Sequence, residues 1–129
     1  MINHRVYRGF NGDEFPNSPY FFSKSQNHAA DYGDIVARYE ISFNRLFDSS
    51  SENDIKQLID VVGPLEDPYD NAIYNTPQSF ISACAGCDTW EPIEDHICAI
   101  RAMGYDAIRI YEGGYENFII FSKDQIKRL

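Results

Sequence analysis

Cysteine is scarce here: three residues in a chain of 129, an odd number that does not make the disulfide framework of a small secreted domain. No apolar run approaches a membrane span, and no opening segment has the pattern of a secretory signal. The sequence therefore reads as that of a protein working in reducing cytoplasm. Basic residues are few as well. Eleven Lys and Arg stand against 20 Asp and Glu, a net charge of -9. Phosphate backbones repel such a surface, which argues against direct, non-specific nucleic-acid binding. A basic or nucleic-acid-binding protein is the natural partner, through complementary fields, although the same acidity also serves solubility. Missing too are the P-loop, the nucleophile elbow and the glycine fingerprint of dinucleotide-binding sheets. A bound nucleotide would not sit in a Rossmann unit. No internal repeat or low-complexity tract appears.

Aromatic residues are what the chain has in plenty: nine Phe, nine Tyr and one Trp, which excludes a disordered tail. The length suits one domain over 1–129. Strand character runs over His4 to Phe10, then a turn-rich loop through Asn11-Gly12-Asp13 and Pro16-Asn17-Ser18-Pro19, then a short buried strand Tyr20-Phe21-Phe22-Ser23. Ser25 caps a helix that Gly33 ends. Ile35 to Phe43 alternates cleanly, with Tyr39, Ile41 and Phe43 on one face. After Ser49-Ser50-Ser51 comes a helix with Ile55, Leu58, Ile59 and Val62 as its apolar stripe, stopped at Gly63-Pro64. Residues 65–75 read as acidic and irregular. Thr76-Pro77 opens a helix ending near Gly86, and 89–103 reads as one further helix ended by Gly104. A hairpin closes the pattern, with Ala107 to Tyr111, the turn Gly113-Gly114 and Asn117 to Phe121, followed by a helical turn over 122–127. Strands at both ends with helices between them predict an α+β domain.

Three stretches carry a resemblance to a known family. They are Val6-Tyr7-Arg8-Gly9; Tyr20-Phe21-Phe22-Ser23-Lys24-Ser25 with Ala29-Ala30-Asp31-Tyr32-Gly33; and Gly104-Tyr105-Asp106-Ala107-Ile108 with Tyr115-Glu116-Asn117-Phe118-Ile119-Ile120-Phe121. In order and spacing they resemble the signature of the ADP-ribosyltransferase superfamily, and the ending Ser122 to Lys127 looks like its small phage and bacterial members. Nearly the whole chain is covered, but residues 45–100 match no motif. The resemblance implies a split β-sandwich with peripheral helices that binds NAD in its cleft and transfers ADP-ribose to a macromolecule. It further implies a phage effector, in the manner of certain anti-CRISPR proteins, that inactivates a host defence or nucleic-acid-binding complex. Arg8, Gly9, Phe22, Ser23, Ser25 and Tyr32 become the expected NAD-binding residues, and Glu116 the catalytic acid.

Each position has a physical task. Loss of nicotinamide builds positive charge on the ribose, and a carboxylate such as that of Glu116 offsets it while accepting a hydrogen bond from the 2'-hydroxyl. Arg8 forks onto the diphosphate or the adenosine ribose, Gly9 lets ligand approach the backbone, Ser23 and Ser25 orient the nicotinamide ribose, and Tyr32 stacks on the nicotinamide ring. Glu116 is followed by Asn117 rather than the usual apolar residue, and strand neighbours face opposite ways. One of the two enters the pocket, and either register fits. Lys24 between the two serines and Arg8 in place of a histidine fit neither large subgroup of the family. Glu112 reads as surface charge and His28 as an exposed helical histidine. Cys84-Ala85-Gly86-Cys87 has metal-like spacing, yet His96 and Cys98 diverge on a helix, so the reading is idle thiols and no metal. The rival functions are an acidic protein of the same fold that blocks a basic target stoichiometrically, and an NAD hydrolase without an acceptor.

Overall fold

A computed structural model describes residues 2–129. The strand read from the opening alternation is β1, Ile2–Phe10, and β2 is Tyr20–Ser23. Ser25 caps α1, Gln26–Ala29, its hydroxyl oxygen accepting the N–H of His28. A 3-10 turn over Ala30–Tyr32 then ends at Gly33. β3 is Ile35–Phe43, with Ala37, Tyr39, Ile41 and Phe43 buried as the alternation predicts. β4 is Leu46–Asp48. α2, Glu52–Val62, starts on the Ser51 cap and buries Ile55 and Leu58.

Three expectations change at this point. The acidic stretch after Gly63 is not irregular: β5, Leu65–Asp67, pairs with β6, Ala72–Tyr74. Its turn is made by the acid itself. The Asp67 carboxylate accepts the N–H groups of Tyr69 and Asp70, and Asn71 takes the left-handed conformation at φ 52°, both habits of short Asx side chains. After α3, Pro77–Cys84, the expected helix over 89–103 is two: α4, Trp90–Glu94, and α5, Ile97–Ala102. The His96 N–H bonds the Ile93 carbonyl, three residues back, which tightens the chain out of α-helical period. β7, Ala107–Glu112, and β8, Tyr115–Ile120, form the expected hairpin, with Gly113 at φ 58° and Gly114 at φ 83° in the left-handed region its tight turn requires. The closing 3-10 turn over Lys123–Gln125 leads into an unexpected strand, β9, Ile126–Arg128, added to β3.

The fold is α+β. Among the described residues seven strands form one sheet in the order β4-β7-β8-β2-β1-β3-β9, antiparallel except for β4 beside β7. The helices cover one face, where Phe47, Ile55, Leu58, Phe80, Ile93, Ile100 and Ile119 form a core. The other face closes on itself. Phe43 of β3 lies 5.9 Å from Phe118 of β8, and Tyr39 lies 5.4 Å from Phe22, around a second core that includes Val6 and Ile41. The seven-stranded sheet thus packs this face across itself, and β5 with β6 stands as a separate two-stranded sheet. Its weak seam is β1 to β2, joined by the single pair Tyr7↔Ser23, whereas β1 pairs with β3 from Ile2↔Phe43 to Phe10↔Ile35. Among the described residues no helix is long and apolar enough to cross a membrane.

Candidate functional site

The seam is where the chain opens. Beyond Tyr7↔Ser23 an antiparallel ladder would pair Arg8 with Phe22 and Gly9 with Phe21, but the strands part. The fork holds a cavity of about 270 Å³ lined by Arg8, Gly9, Phe22, Ser23, Ala29 and Tyr32, together with Tyr7, Phe10, Asp13, Pro16 and Phe21. Five of the six residues expected to bind NAD therefore meet around one space. Ser25 is not in the lining; its hydroxyl caps α1, and its own N–H bonds the Ser23 hydroxyl oxygen.

Arg8 holds the fork apart and together at once. Its Nε donates to the Glu14 carbonyl and its Nη1 to the Phe21 carbonyl, both at 2.9 Å. Its guanidinium lies between 5.2 and 5.9 Å from the ring centres of Phe15, Tyr20 and Phe22. Burial pulls its pKa below the ordinary arginine value, against the raising influence of Tyr39 and Glu14. Part of the donor fork expected for a diphosphate is thus already engaged by backbone carbonyls. Gly9 also has a reason other than ligand approach. A Cβ there would fall 1.9 Å from the Ala29 carbonyl oxygen, so the end of α1 sits directly on the bare β1 backbone.

The carboxylates are arranged differently from the sequence expectation. Along β8, Asn117 and Ile119 face α1 and the helix-side core, whereas Glu116 shares the other face with Phe118 and Ile120. Strand alternation thereby points Glu116 away from Ser23 and Tyr32. It lies 3.3 Å from Arg109 Nε, which is next to Asp48. Asn117, the other register, is fully buried with Nδ2 3.2 Å from His28 Nε2, and its Oδ1 has no partner among the described residues. The acid in the lining itself is Asp13; Glu112 stands behind the wall and reaches it through Tyr32. The Tyr32 hydroxyl donates to Glu112 Oε1, and His28 Nε2 is 3.1 Å from the same oxygen. Tyr32, 45% exposed, lines the cavity and is held by this bond. Its phenol is raised well above the usual tyrosine range, first by burial and then by the hydrogen bond to Glu112. Its hydroxyl therefore stays a donor at neutral pH. Trp90 of α4 packs edge-on against Phe21 at 4.9 Å, closing the helix side of the site.

The fold has a solved counterpart. An anti-CRISPR protein of known crystal structure is similar in fold, with a TM-score of 0.55 over 99% of this chain and 96% of that one, at 12% identity. At that identity the likeness is one of fold. No protein-family profile matches the sequence, and no curated protein matches it.

Two residues of the site were misjudged in the sequence. His28 is buried, 8% exposed, rather than displayed on a helix surface, and Glu112 is held rather than free. The signal for Glu112 is its parity. It shares a face with Ile108 and Ile110, both fully buried, and pairs with Tyr115 across the hairpin. Elsewhere, Cys84 is buried while Cys87 and Cys98 are exposed, all as free thiols. Burial pushes the Cys84 thiol up, and its hydrogen bond with the Tyr74 hydroxyl pushes that phenol up to about 12.

Proposed function

We propose that the protein is a mono-ADP-ribosyltransferase that binds NAD in the β1–β2 fork and uses Glu112 in place of Glu116 as its carboxylate. The observation that carries the reading is the meeting of Arg8, Gly9, Phe22, Ser23 and Tyr32 around one cavity, with a carboxylate anchored to its wall through Tyr32. At about 270 Å³ the enclosed space falls slightly below the 300–1,000 Å³ usual for ligand pockets. In this reading the space takes one nucleoside half of NAD and leaves the other outside.

In this reading nicotinamide leaves with the electron pair of its bond to the ribose C1' carbon, which quenches the pyridinium charge. Positive charge develops on the sugar, and Glu112 offsets it while accepting a hydrogen bond from a ribose hydroxyl. A lone pair on the acceptor then forms the new bond to C1', and the acceptor's proton passes to solvent. Tyr32 and His28 both address Oε1, so in this reading Oε2 is the oxygen that meets the ribose. The net charge of -9 favours a basic protein acceptor, such as a nucleic-acid-binding subunit. The anti-CRISPR neighbour supports a phage anti-defence setting, with a CRISPR effector complex as the target.

A second reading has its own observation. Because two donors of Arg8 already bond carbonyls, the fork also reads as a closed structural seam in an acidic protein that blocks a basic target without turnover. Intact mass spectrometry separates the two. A gain of one ADP-ribose on a CRISPR effector subunit, at substoichiometric protein and only with NAD, is the expected result. Inhibition at one-to-one ratio with unchanged subunit mass would establish the binding reading instead.

A further inference from the structure

The geometry points to His28 as the residue that positions Glu112, a role that rests on the transferase reading for its effect on turnover and on the coordinates alone for its hydrogen bond. Neither His28 nor Glu112 is in the cavity lining; Glu112 reaches it through Tyr32, and His28, almost wholly buried, acts through Glu112. Its backbone is fixed by the Ser25 cap. Its ring is fixed on two sides, stacked 4.5 Å from the Tyr115 ring at an interplanar angle of 11° and edge-on to Tyr32 at 5.4 Å and 89°. A ring so confined keeps one plane, and in that plane Nε2 lies 3.1 Å from Glu112 Oε1 and 3.2 Å from Asn117 Nδ2.

One ring nitrogen cannot donate to the carboxylate and accept from the amide at the same time. Two acceptors facing each other at 3.1 Å repel, so a lone pair on Nε2 is incompatible with an ionised Glu112. Nε2 therefore carries a proton directed at Oε1, and the Asn117 amide, turned so that its otherwise unpartnered Oδ1 faces the ring, accepts from the same N–H. The remaining charged neighbour, Asp31, has its Oδ2 3.6 Å from Nδ1 and is 74% exposed, so solvent screens it and it contributes little. With the Tyr32 hydroxyl on the same oxygen, two donors pin Oε1 and fix the rotation of the carboxylate, which determines where Oε2 points. A plain core histidine needs no such carboxylate partner. Removing a buried group that orients a working side chain lowers turnover while leaving ground-state binding intact.

The test has an activity arm and a spectroscopic arm. His28→Phe keeps a planar ring against Tyr115 and removes the donor; His28→Gln restores an N–H at similar reach. With NAD as the probe and nicotinamide release as the readout, His28→Phe is expected to lower kcat on the order of tenfold to a hundredfold, the usual loss when an orienting partner is removed. KM for NAD is expected to stay within about twofold of wild type, since uniform binding is untouched, and His28→Gln recovers part of the loss. In a Glu112→Gln background His28→Phe adds nothing further, because the two act as one unit. Unchanged kcat, a rise in KM alone, or an additive effect in that background would overturn the role. Nitrogen-15 imidazole spectra of the wild-type protein at neutral pH read the hydrogen bond without any turnover. Protonated Nε2, with a shift that moves in Glu112→Gln, supports the assignment, and an unprotonated Nε2 refutes it even if no variant is active. A wild-type protein that shows the Nε2 signature yet releases no nicotinamide would sink the transferase reading and leave the contact standing.

Discussion

Replacing Gly9 with alanine places a methyl carbon 1.9 Å from the Ala29 carbonyl oxygen, 2.9 Å from its carbonyl carbon and 3.3 Å from the Gly33 nitrogen. All three are backbone atoms, at the end of α1 and of the turn that follows, so no side chain can swing aside to make room. Either α1 lifts from β1 or β1 bends away from β3, where Gly9 pairs with Val36. Overpacking of this kind costs about 1–3 kcal/mol. For a domain of this size that is a fall in Tm of roughly 3–6 °C per kcal/mol. Urea unfolding followed by far-ultraviolet circular dichroism reads it directly, with no ligand present. Gly33→Ala is a sister case, since a Cβ there falls 2.4 Å from the Phe10 carbonyl carbon. A Gly9→Ala protein with the wild-type urea midpoint would refute the close seating of α1 on β1. It would return the glycine to the role expected from sequence, a place for ligand to approach.

Glu112→Gln should cut ADP-ribose transfer by about two to three orders of magnitude, while Glu116→Gln, on the opposite face beside Arg109, stays within a few-fold of wild type; the reverse order in a radiolabelled NAD assay would restore the Glu116 register. Arg8→Met removes two hydrogen bonds from a charged donor, each contributing about 1.5–3 kcal/mol. Chemical unfolding should show the loss, and an unchanged midpoint would mean that the seam does not depend on Arg8. Ser51→Ala deletes the α2 cap and should cost about 1 kcal/mol, read as a lower urea midpoint. Glu91 is pushed up to about 7, chiefly by its hydrogen bond to Asp88 and then by burial. A carboxyl whose folded pKa lies above its unfolded one binds more protons when folded, so its contribution to stability falls as pH rises from about 4.5 to 7. Glu91→Gln should flatten that part of the stability curve; an unaltered pH slope would contradict the raised carboxyl.

Much of the fold was legible because local chemistry and period agree. Ser25 and Thr76 cap helices where the sequence placed them, α2 starts at the end of the serine run, and the alternation through Tyr39, Ile41 and Phe43 marked the buried face of β3. Illegible were features set by distant partners. β9 exists because the end of the chain finds the free edge of β3, and the β5–β6 hairpin because Asp67 turns its own backbone. The NAD-site expectations located the lining of one cavity, since Arg8, Gly9, Phe22 and Ser23 lie on the two strands that part. The acid was a harder matter. Both faces of β8 are buried, Glu116 beside Phe118 on one and Asn117 beside Ile119 on the other, so polarity along the strand could not select a face. Only the register with β2 and the position of α1 bring Glu112 to Tyr32 and His28.

The claim on which the rest depends is that the parted strands hold a dinucleotide. Titrating NAD into nitrogen-15-labelled protein tests it most directly. The account predicts saturable shifts in the backbone amides of Gly9, Ser23, Ala29 and Tyr32, with those of β5 and β6 unmoved. Amides of the fork that stay still at saturating NAD, or shifts gathered on the hairpin instead, would contradict it.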